Sequence, residues 1–334
     1  VLSVQNEILK VIQAEFPIDL QPYAALANQL GSSDEEVITQ IKHLKAEGII
    51  RRIGAIFNAA HLGYVSTLIA AQIPTDKIND FVADVNTLPG VSHNYGRQHE
   101  FNIWFTLTME SMEKINQTVA HLRTKYHLDK IYNLPALKLY KIKVNFTPGR
   151  QLDAPPDFDE NNESEQPPLE ITSSTPPDDL SARQIDLIRQ LQQDLPVIRE
   201  PFHQIANTIN ENPNTVLTQI KDWKKKGLIR RFGASVKHQR MGFTANGMVV
   251  FDIEPERLDT IGSLLARYRQ VSHCYHRPSA PDWPYNLFAM THCRSERQLQ
   301  KLVQEMVRQT NPRQYDILLT TTEHKKTNVK YFTE

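Results

Sequence analysis

The sequence predicts an α+β protein made of two tandem copies of one unit. Each copy is a winged helix-turn-helix followed by a ferredoxin-like βαββαβ domain, and the two sheets pack on each other as a pseudo-dimer. Three observations predict it: an internal repeat at about half the chain length, a helical pattern ending in a strand at the start of each repeat, and an alternation of strand and helix patterns in the remainder.

The repeat comes first, because missing it would misread the whole fold. GIIRRIGA at 48–55 matches GLIRRFGA at 227–234, an offset of 179, and the same offset aligns Pro17 with Pro196, Pro22 with Pro201 and Gly63 with Gly242. VSHNYGR at 91–97 matches VSHCYHR at 271–277, an offset of 180, and Asn102 matches Asn286 after the longer second-copy segment PSAPDWP. A repeat this long is a duplicated domain pair rather than a solenoid.

Within residues 1–55, apolar residues recur at helical spacing in three segments: Ile8, Leu9 and Ile12; then Tyr23, Leu26 and Leu30; then Val37, Ile41 and Leu44, stopping at Gly48. A strand containing RRIGA follows, which gives a winged helix-turn-helix, repeated over 181–234. Residues 62–148 alternate differently. TLIAAQIP (67–74) reads as a strand, 75–87 as a helix, VSHNYGR and FNIWFTLTM (101–109) as a hairpin, 111–126 as a helix and 136–146 as a last strand. That order is βαββαβ, and 241–334 follows it. Between the copies, residues 149–180 are rich in Pro and acidic side chains and poor in large apolar ones. Such a segment buries too little apolar surface to offset its ordering entropy and is expected to be a disordered tether.

The 334 residues carry 38 basic and 38 acidic side chains, so no bulk charge draws the chain to nucleic acid or membrane. No apolar run spans a bilayer and no signal peptide is visible, and Cys274 and Cys293 read as free thiols. A cytoplasmic setting is expected. No glycine fingerprint for a nucleotide is found.

In a strand, residues i, i+2 and i+4 share a face. His93, Tyr95 and Arg97 are therefore aligned on one side, as are His273, Tyr275 and Arg277. On the neighbouring strand Phe101, Ile103, Phe105 and Leu107 are assigned to the helix-packed core, and Asn102, Trp104 and Thr106 to the opposite face.

The pairing of a winged helix with a ferredoxin-like domain resembles the Lrp/AsnC regulators. The strings RRIGA and RRFGA, HNYGR and HCYHR, HEFNIWFTL and PDWPYNLFAM narrow the match to the siroheme decarboxylases of the Nir/Ahb type, in their fused D–L form. The resemblance covers both copies and excludes the tether. It implies loss of CO2 from the C12 and C18 acetates of siroheme, giving 12,18-didecarboxysiroheme for haem d1 or alternative haem synthesis. It implies no cofactor, the iron arriving with the substrate. It also implies an intrachain pseudo-heterodimer that leaves room for a further homodimer.

A macrocycle with several carboxylates needs cationic forks, which Arg97 and Arg277 can supply. Arg51, Arg52, Arg230 and Arg231 are further candidates, although wing arginines are commonly solvated. Asn102 and Asn286 are candidate substrate contacts, and Trp104 and Phe288 could pack on the ring. Losing CO2 from an acetate requires a proton at the methylene carbon. His93 and His273 can donate one near neutral pH, with Tyr95 and Tyr275 orienting a carboxylate or relaying the proton. Two alternatives stay open for these residues: a structural hydrogen-bonded cluster, or a histidine ligating the siroheme iron. Lys138, Lys141, Lys325 and Lys326 read as surface residues.

A DNA-binding regulator and a non-catalytic tetrapyrrole-binding protein are the competing classes. Against the first, Asp34, Glu35 and Glu36 sit where the third helix would meet DNA, and would repel phosphate.

Overall fold

The computed structural model describes residues 4–142, 169–170, 180–236 and 245–333. The chain divides into two compact units, and each unit draws on both copies. One unites the two winged helices, the other the two ferredoxin-like domains.

In the winged-helix unit, α1 (Val4–Ala14), α2 (Pro22–Leu30), α3 (Asp34–Ala46) and β1 (Ile50–Phe57) form the first copy. The local signals are ordinary ones: Pro22 in the first turn of α2, Gly31 in the left-handed conformation after it, and Ser33 capping α3 by accepting from Glu36 N. The second copy is α6 (Ala182–Leu191), α7 (Pro201–Thr208), α8 (Pro213–Lys225) and β8 (Ile229–Val236). β1 and β8 pair antiparallel, so each copy supplies the other's sheet partner.

The RRxGA repeat explains this pairing. In β8, a Cβ on Gly233 would lie 2.5 Å from the Ile12 carbonyl oxygen, and in β1 one on Gly54 would lie 2.8 Å from that of Gln193. Glycine is needed because the first helix of the opposite copy packs its C-terminal backbone against the strand. The second arginine of each repeat caps that same helix end. Arg231 donates to the Gln13 carbonyl, and Arg52 donates to the Gln192, Gln193 and Ala55 carbonyls. Helix C-termini carry unpaired carbonyls and partial negative charge, which a guanidinium satisfies. Burial pushes the Arg52 guanidinium down to about 10, with nearby Asp194 opposing that shift.

The ferredoxin-like unit contains β2 (Val65–Ala71), α4 (Ile78–Thr87), β3 (Val91–Arg97), β4 (Ile103–Met109), α5 (Met112–Tyr126), β5 (Ile131–Pro135) and β6 (Lys138–Ile142) from the first copy. The second copy gives β9 (Ala245–Asp252), α9 (Leu258–Ala266), β10 (Val271–His276), β11 (Leu287–Cys293), α10 (Glu296–Thr310) and β12 (Gln314–Lys326). Each copy orders its strands fourth-first-third-second, as a ferredoxin-like sheet does, leaving β3 and β10 at the edges. The other copy covers them. β12 pairs with its own β9 through residues 314–319 and then with β3 through 320–326. Of the last strand expected at 136–146, residues 138–142 form β6, which pairs with β10, and 143–146 lie outside the described residues; the strand that pairs with β2 is β5, just before it. Ala136 and Leu137 separate β5 from β6.

One face of each sheet packs on its helices. Ile103, Phe105 and Leu107 meet Phe81, Val85, Ile115 and Val119. The other faces share a second apolar core containing Ala70, Trp104, Leu134, Met248, Val250, Trp283, Phe288 and Leu318. Phe101 belongs to this intersheet core and not to the helix-packed one. It precedes the first residue of β4, so strand alternation does not govern it.

The expected tether lies outside the described residues except for Leu169, Glu170 and Leu180. Leu169–Glu170 forms β7 on the edge of β6, so at these two residues the backbone is hydrogen-bonded strand.

Two expectations follow. Residues 1–150 and 180–334 expressed as separate chains should co-elute as one complex in size exclusion, because β1–β8, β3–β12 and β6–β10 are all pairings between copies. Gly233→Ala should destabilise the protein by about 1–3 kcal/mol in denaturant unfolding, since the added methyl meets backbone and cannot be relieved by a rotamer change.

Candidate functional site

The repeated strings fall on the two edge strands, β3 and β10. His93, Tyr95 and Arg97 share the intersheet face, and so do their counterparts. The His93 and Tyr95 ring centroids are 6.1 Å apart, and the Arg97 guanidinium lies 5.2 Å from the Tyr95 centroid. In the second copy the distances are 6.2 and 4.8 Å. Each string thus forms a ladder of imidazole, phenol and guanidinium.

The sequence reading missed the serine before each histidine. Regular alternation would put Ser92 and His93 on opposite faces. Instead β3 is bulged between Val91 and Asn94, and β10 between Val271 and His273. A bulge sets two residues opposite one and turns both toward the same side. Ser92 Oγ is 2.9 Å from His93 Nδ1, and Ser272 Oγ is 2.8 Å from His273 Nδ1. The available signal was that Ser belongs to both repeats.

From there the two copies diverge. Ser92 Oγ meets Thr106 Oγ1 at 2.9 Å. Ser272 Oγ meets His292 Nε2 at 2.8 Å, and His292 Nδ1 lies 2.7 Å from Asn246 Oδ1. The cross-strand neighbours differ as well. β12 sets Glu323 opposite Tyr95 and Lys326 opposite His93, whereas β6 sets Leu139 opposite Tyr275 and Ile142 opposite His273.

The arginines end the ladders. Arg97 is 6 % exposed and Arg277 9 %. Arg97 Nη1 donates to the Leu318 carbonyl at 3.2 Å and to Thr320 Oγ1, and Arg277 Nη1 donates to the Leu134 carbonyl at 2.6 Å. Leu318 and Leu134 are equivalent positions on the final strands of opposite copies. The Nε–H of each arginine is buried without a partner. Among the described residues no carboxylate pairs with either. Burial holds both guanidinium groups down, to about 10. A buried cation without a counter-ion costs several kcal/mol.

Other expected contacts are committed to the fold. The Asn102 amide donates to the Ile73 carbonyl and accepts from Ile73 N, both at 2.8 Å; Asn286 does the same with Ile253, at 2.8 and 3.0 Å. The backbone takes one donor and one acceptor of each amide, which gives both side chains an anchoring role. Trp104 is 1 % exposed, donates its indole N–H to the Phe101 carbonyl, and meets the Trp283 ring at 5.0 Å. Phe288 is also buried, between Trp104 and Trp283. A planar ligand on either ring would have to open the intersheet core, so their packing role is structural. Trp283 comes from the second-copy insertion and also packs on His99 and Phe101 of the first copy. Arg52 and Arg231 cap helices, Arg230 donates to Asn58 Oδ1 at 3.4 Å, and Arg51 lies on β1; all four belong to the winged-helix unit, not to the unit that carries the ladders. Lys141 and Lys325 each donate to a carbonyl just before β10 or β3, and Lys138 pairs with Asp259 at 2.7 Å.

Arg97→Met and Arg277→Met separate a ligand site from a structural cluster. Removing an uncompensated buried charge should leave the midpoint of thermal unfolding nearly unchanged or raise it. Binding of a polycarboxylate tetrapyrrole, followed by its absorption spectrum, should weaken by roughly 10- to 100-fold for each charge-assisted hydrogen bond removed.

A family model described as a siroheme decarboxylase NirDL-like HTH domain matches residues 5–51 and 184–230, and one described as an AsnC-like ligand binding domain matches 61–141 and 240–325. A siroheme decarboxylase of Hydrogenobacter thermophilus is 30 % identical over 330 residues, covering 98 % of this chain and 95 % of the relative. A siroheme decarboxylase alpha subunit of Desulfovibrio desulfuricans is 49 % identical over 144 residues, covering 43 % of this chain and 83 % of the relative. The crystal structure of the siroheme decarboxylase NirDL, solved also in complex with an iron-uroporphyrin III analogue, superposes with a TM-score of 0.74 at 27 % identity, over 99 % of this chain and 95 % of that one.

Proposed function

This chain belongs to the siroheme decarboxylase family, and from that premise we propose that it is a carboxy-lyase. It takes CO2 from the C12 and C18 acetate side chains of siroheme and yields 12,18-didecarboxysiroheme. The observation that carries this reading is the pair of buried arginines, each without a carboxylate partner among the described residues and each ending a His–Tyr–Arg ladder.

The chemistry follows from the side chains. Each guanidinium has nitrogens uncommitted to the protein and can take a substrate carboxylate in a charge-assisted bond. Protonation of the pyrrole makes the ring an electron sink. The bond from the methylene carbon to the carboxylate breaks, CO2 leaves, and the electron pair takes a proton at that carbon. His93 or His273 supplies this proton, with Nδ1 of each held by the preceding serine and Nε2 as the delivering atom. Tyr95 and Tyr275, between imidazole and guanidinium, orient the carboxylate. The balance needs one proton per CO2 and no redox partner, so no organic cofactor is required; the iron comes with the substrate.

Catalysis is favoured over DNA binding by the start of α3. Asp34 and Glu35 are held by Arg199 of the second copy, at 3.2 and 2.7 Å, which keeps acidic groups where a phosphate would lie. Among the described residues no helix is long and apolar enough to cross a membrane, and a cytoplasmic enzyme fits that.

Anaerobic incubation with siroheme and mass analysis of the product tests the reading. Wild type should lose two CO2 units. His93→Ala and His273→Ala should each slow CO2 loss by about 10²–10⁴-fold at the site affected, with little change in siroheme binding, so that monodecarboxylated product accumulates. Full rates in both variants would move the chemistry away from the ladders.

A further inference from the structure

The second copy holds a hydrogen-bonded chain that the first copy lacks. It runs across three strands, from Asn246 on β9 through His292 on β11 and Ser272 on β10 to His273. All four side chains lie on the intersheet face, His273 and Ser272 together because of the bulge. At the corresponding positions the first copy has Ser66, Thr108, Ser92 and His93. There Ser66 Oγ pairs with Thr108 Oγ1 at 2.9 Å, and Ser92 turns to Thr106. That arrangement is made of hydroxyls, which donate or accept equally well.

The chain behind the serine therefore fixes proton direction in one copy, and the hydroxyls leave it open in the other. Asn246 Oδ1 can only accept, so His292 Nδ1 carries the hydrogen that meets it. Neutral His292 then offers a lone pair at Nε2, which at 2.8 Å takes the Ser272 O–H in preference to the Met290 carbonyl at 3.4 Å. With its hydrogen so used, Ser272 Oγ accepts from His273 Nδ1–H. The lone pair of neutral His273 then sits at Nε2, the atom to which a proton is added and from which it is delivered. In the first copy Thr106 Oγ1 accepts from the His93 backbone N–H at 3.1 Å, and its own hydrogen can point toward or away from Ser92. The Ser92–Thr106 pair does not select one tautomer of His93.

We propose that His292 is a positioning residue of the second site, fixing the tautomer of His273 through the Ser272 hydroxyl. This rests on the reading that His273 delivers a proton, and it makes the two sites unequal. The second presents a preset Nε2 among apolar cross-strand neighbours. The first presents, opposite Lys326, an imidazole whose serine accommodates either tautomer.

Long-range proton–nitrogen correlation spectra of the full chain, labelled with 15N-histidine and free of substrate, read the tautomer directly. His273 is identified by the signal missing in His273→Gln. Wild type should show neutral His273 protonated at Nδ1. His292→Thr, which places the first copy's residue at that position, should lose this preference, and so should Asn246→Leu if the first variant fails to fold. His292→Gln should retain it, because the amide oxygen can accept from Ser272 while the amide N–H donates to Asn246. In turnover, His292→Thr should slow the second site's CO2 loss by about tenfold or more, with siroheme binding unchanged and His292→Gln restoring most of the rate. A wild-type His273 protonated at Nε2, or one unaltered in both His292→Thr and Asn246→Leu, would overturn the proposal. The tautomer is read without substrate, so the result is separate from catalysis. If His273→Ala keeps full turnover, the catalytic assignment fails and the tautomer measurement still stands or falls alone.

Discussion

The open edge of a ferredoxin-like sheet is the constraint on which this molecule depends. An unpaired edge exposes a row of backbone donors and acceptors and invites association. Here each copy ends in a segment long enough to serve two sheets. β12 runs for 13 residues and crosses from its own sheet to the edge of the other, and β5–β6 makes the reciprocal crossing with a break at Ala136 and Leu137. The winged helices repeat the principle on a smaller scale through β1 and β8. Fusion of two unlike copies in one chain keeps these exchanges intramolecular and sets their stoichiometry.

The site inherits this arrangement. The strand that carries each His–Tyr–Arg ladder is the edge strand, so its neighbour on one side is always the other copy. The carbonyl that steadies each arginine, from Leu318 or Leu134, is likewise supplied across the exchange. Neither site is complete within one copy. The arginines are the expensive element, since both lose water and gain no carboxylate among the described residues. The apolar burial of the intersheet core around Trp104, Trp283 and Phe288 offsets that cost, and under the proposed function an anionic substrate restores the charge balance.

Duplication has not made the sites alike. The bulge, the serine and the ladder are held in common. The chain behind the serine and the residues opposite the ladder are not. The ladder has Glu323 and Lys326 opposite it in one copy and the apolar pair Leu139 and Ile142 in the other. The second-copy insertion adds a further difference by planting Trp283 in the core against the first copy's hairpin.

The sequence by itself determined the duplication, the type and order of nearly every element, and the alignment of His93, Tyr95 and Arg97 on one face. Repeats, helical spacing and strand alternation are local properties, and local patterns survive without knowledge of what packs where. It also carried the family, through strings that proved to have two different jobs. RRIGA and RRFGA hold helix ends together between copies, while HNYGR and HCYHR build the ladders. Only the tertiary structure decided the rest. Asn102 and Asn286 resemble substrate contacts until each is seen to pair both its amide oxygen and its amide nitrogen with the backbone of Ile73 or Ile253. Trp104 and Phe288 resemble a stacking surface until Trp283, near Phe288 in sequence but remote from Trp104, covers both. Ser272 joins His273 only because a bulge breaks alternation, and His292 joins Ser272 only because β11 lies beside β10 in that register. Each of these depends on which partner fills a side chain's hydrogen-bonding or packing capacity, and partners distant along the chain are set by the folded topology rather than by neighbouring residues.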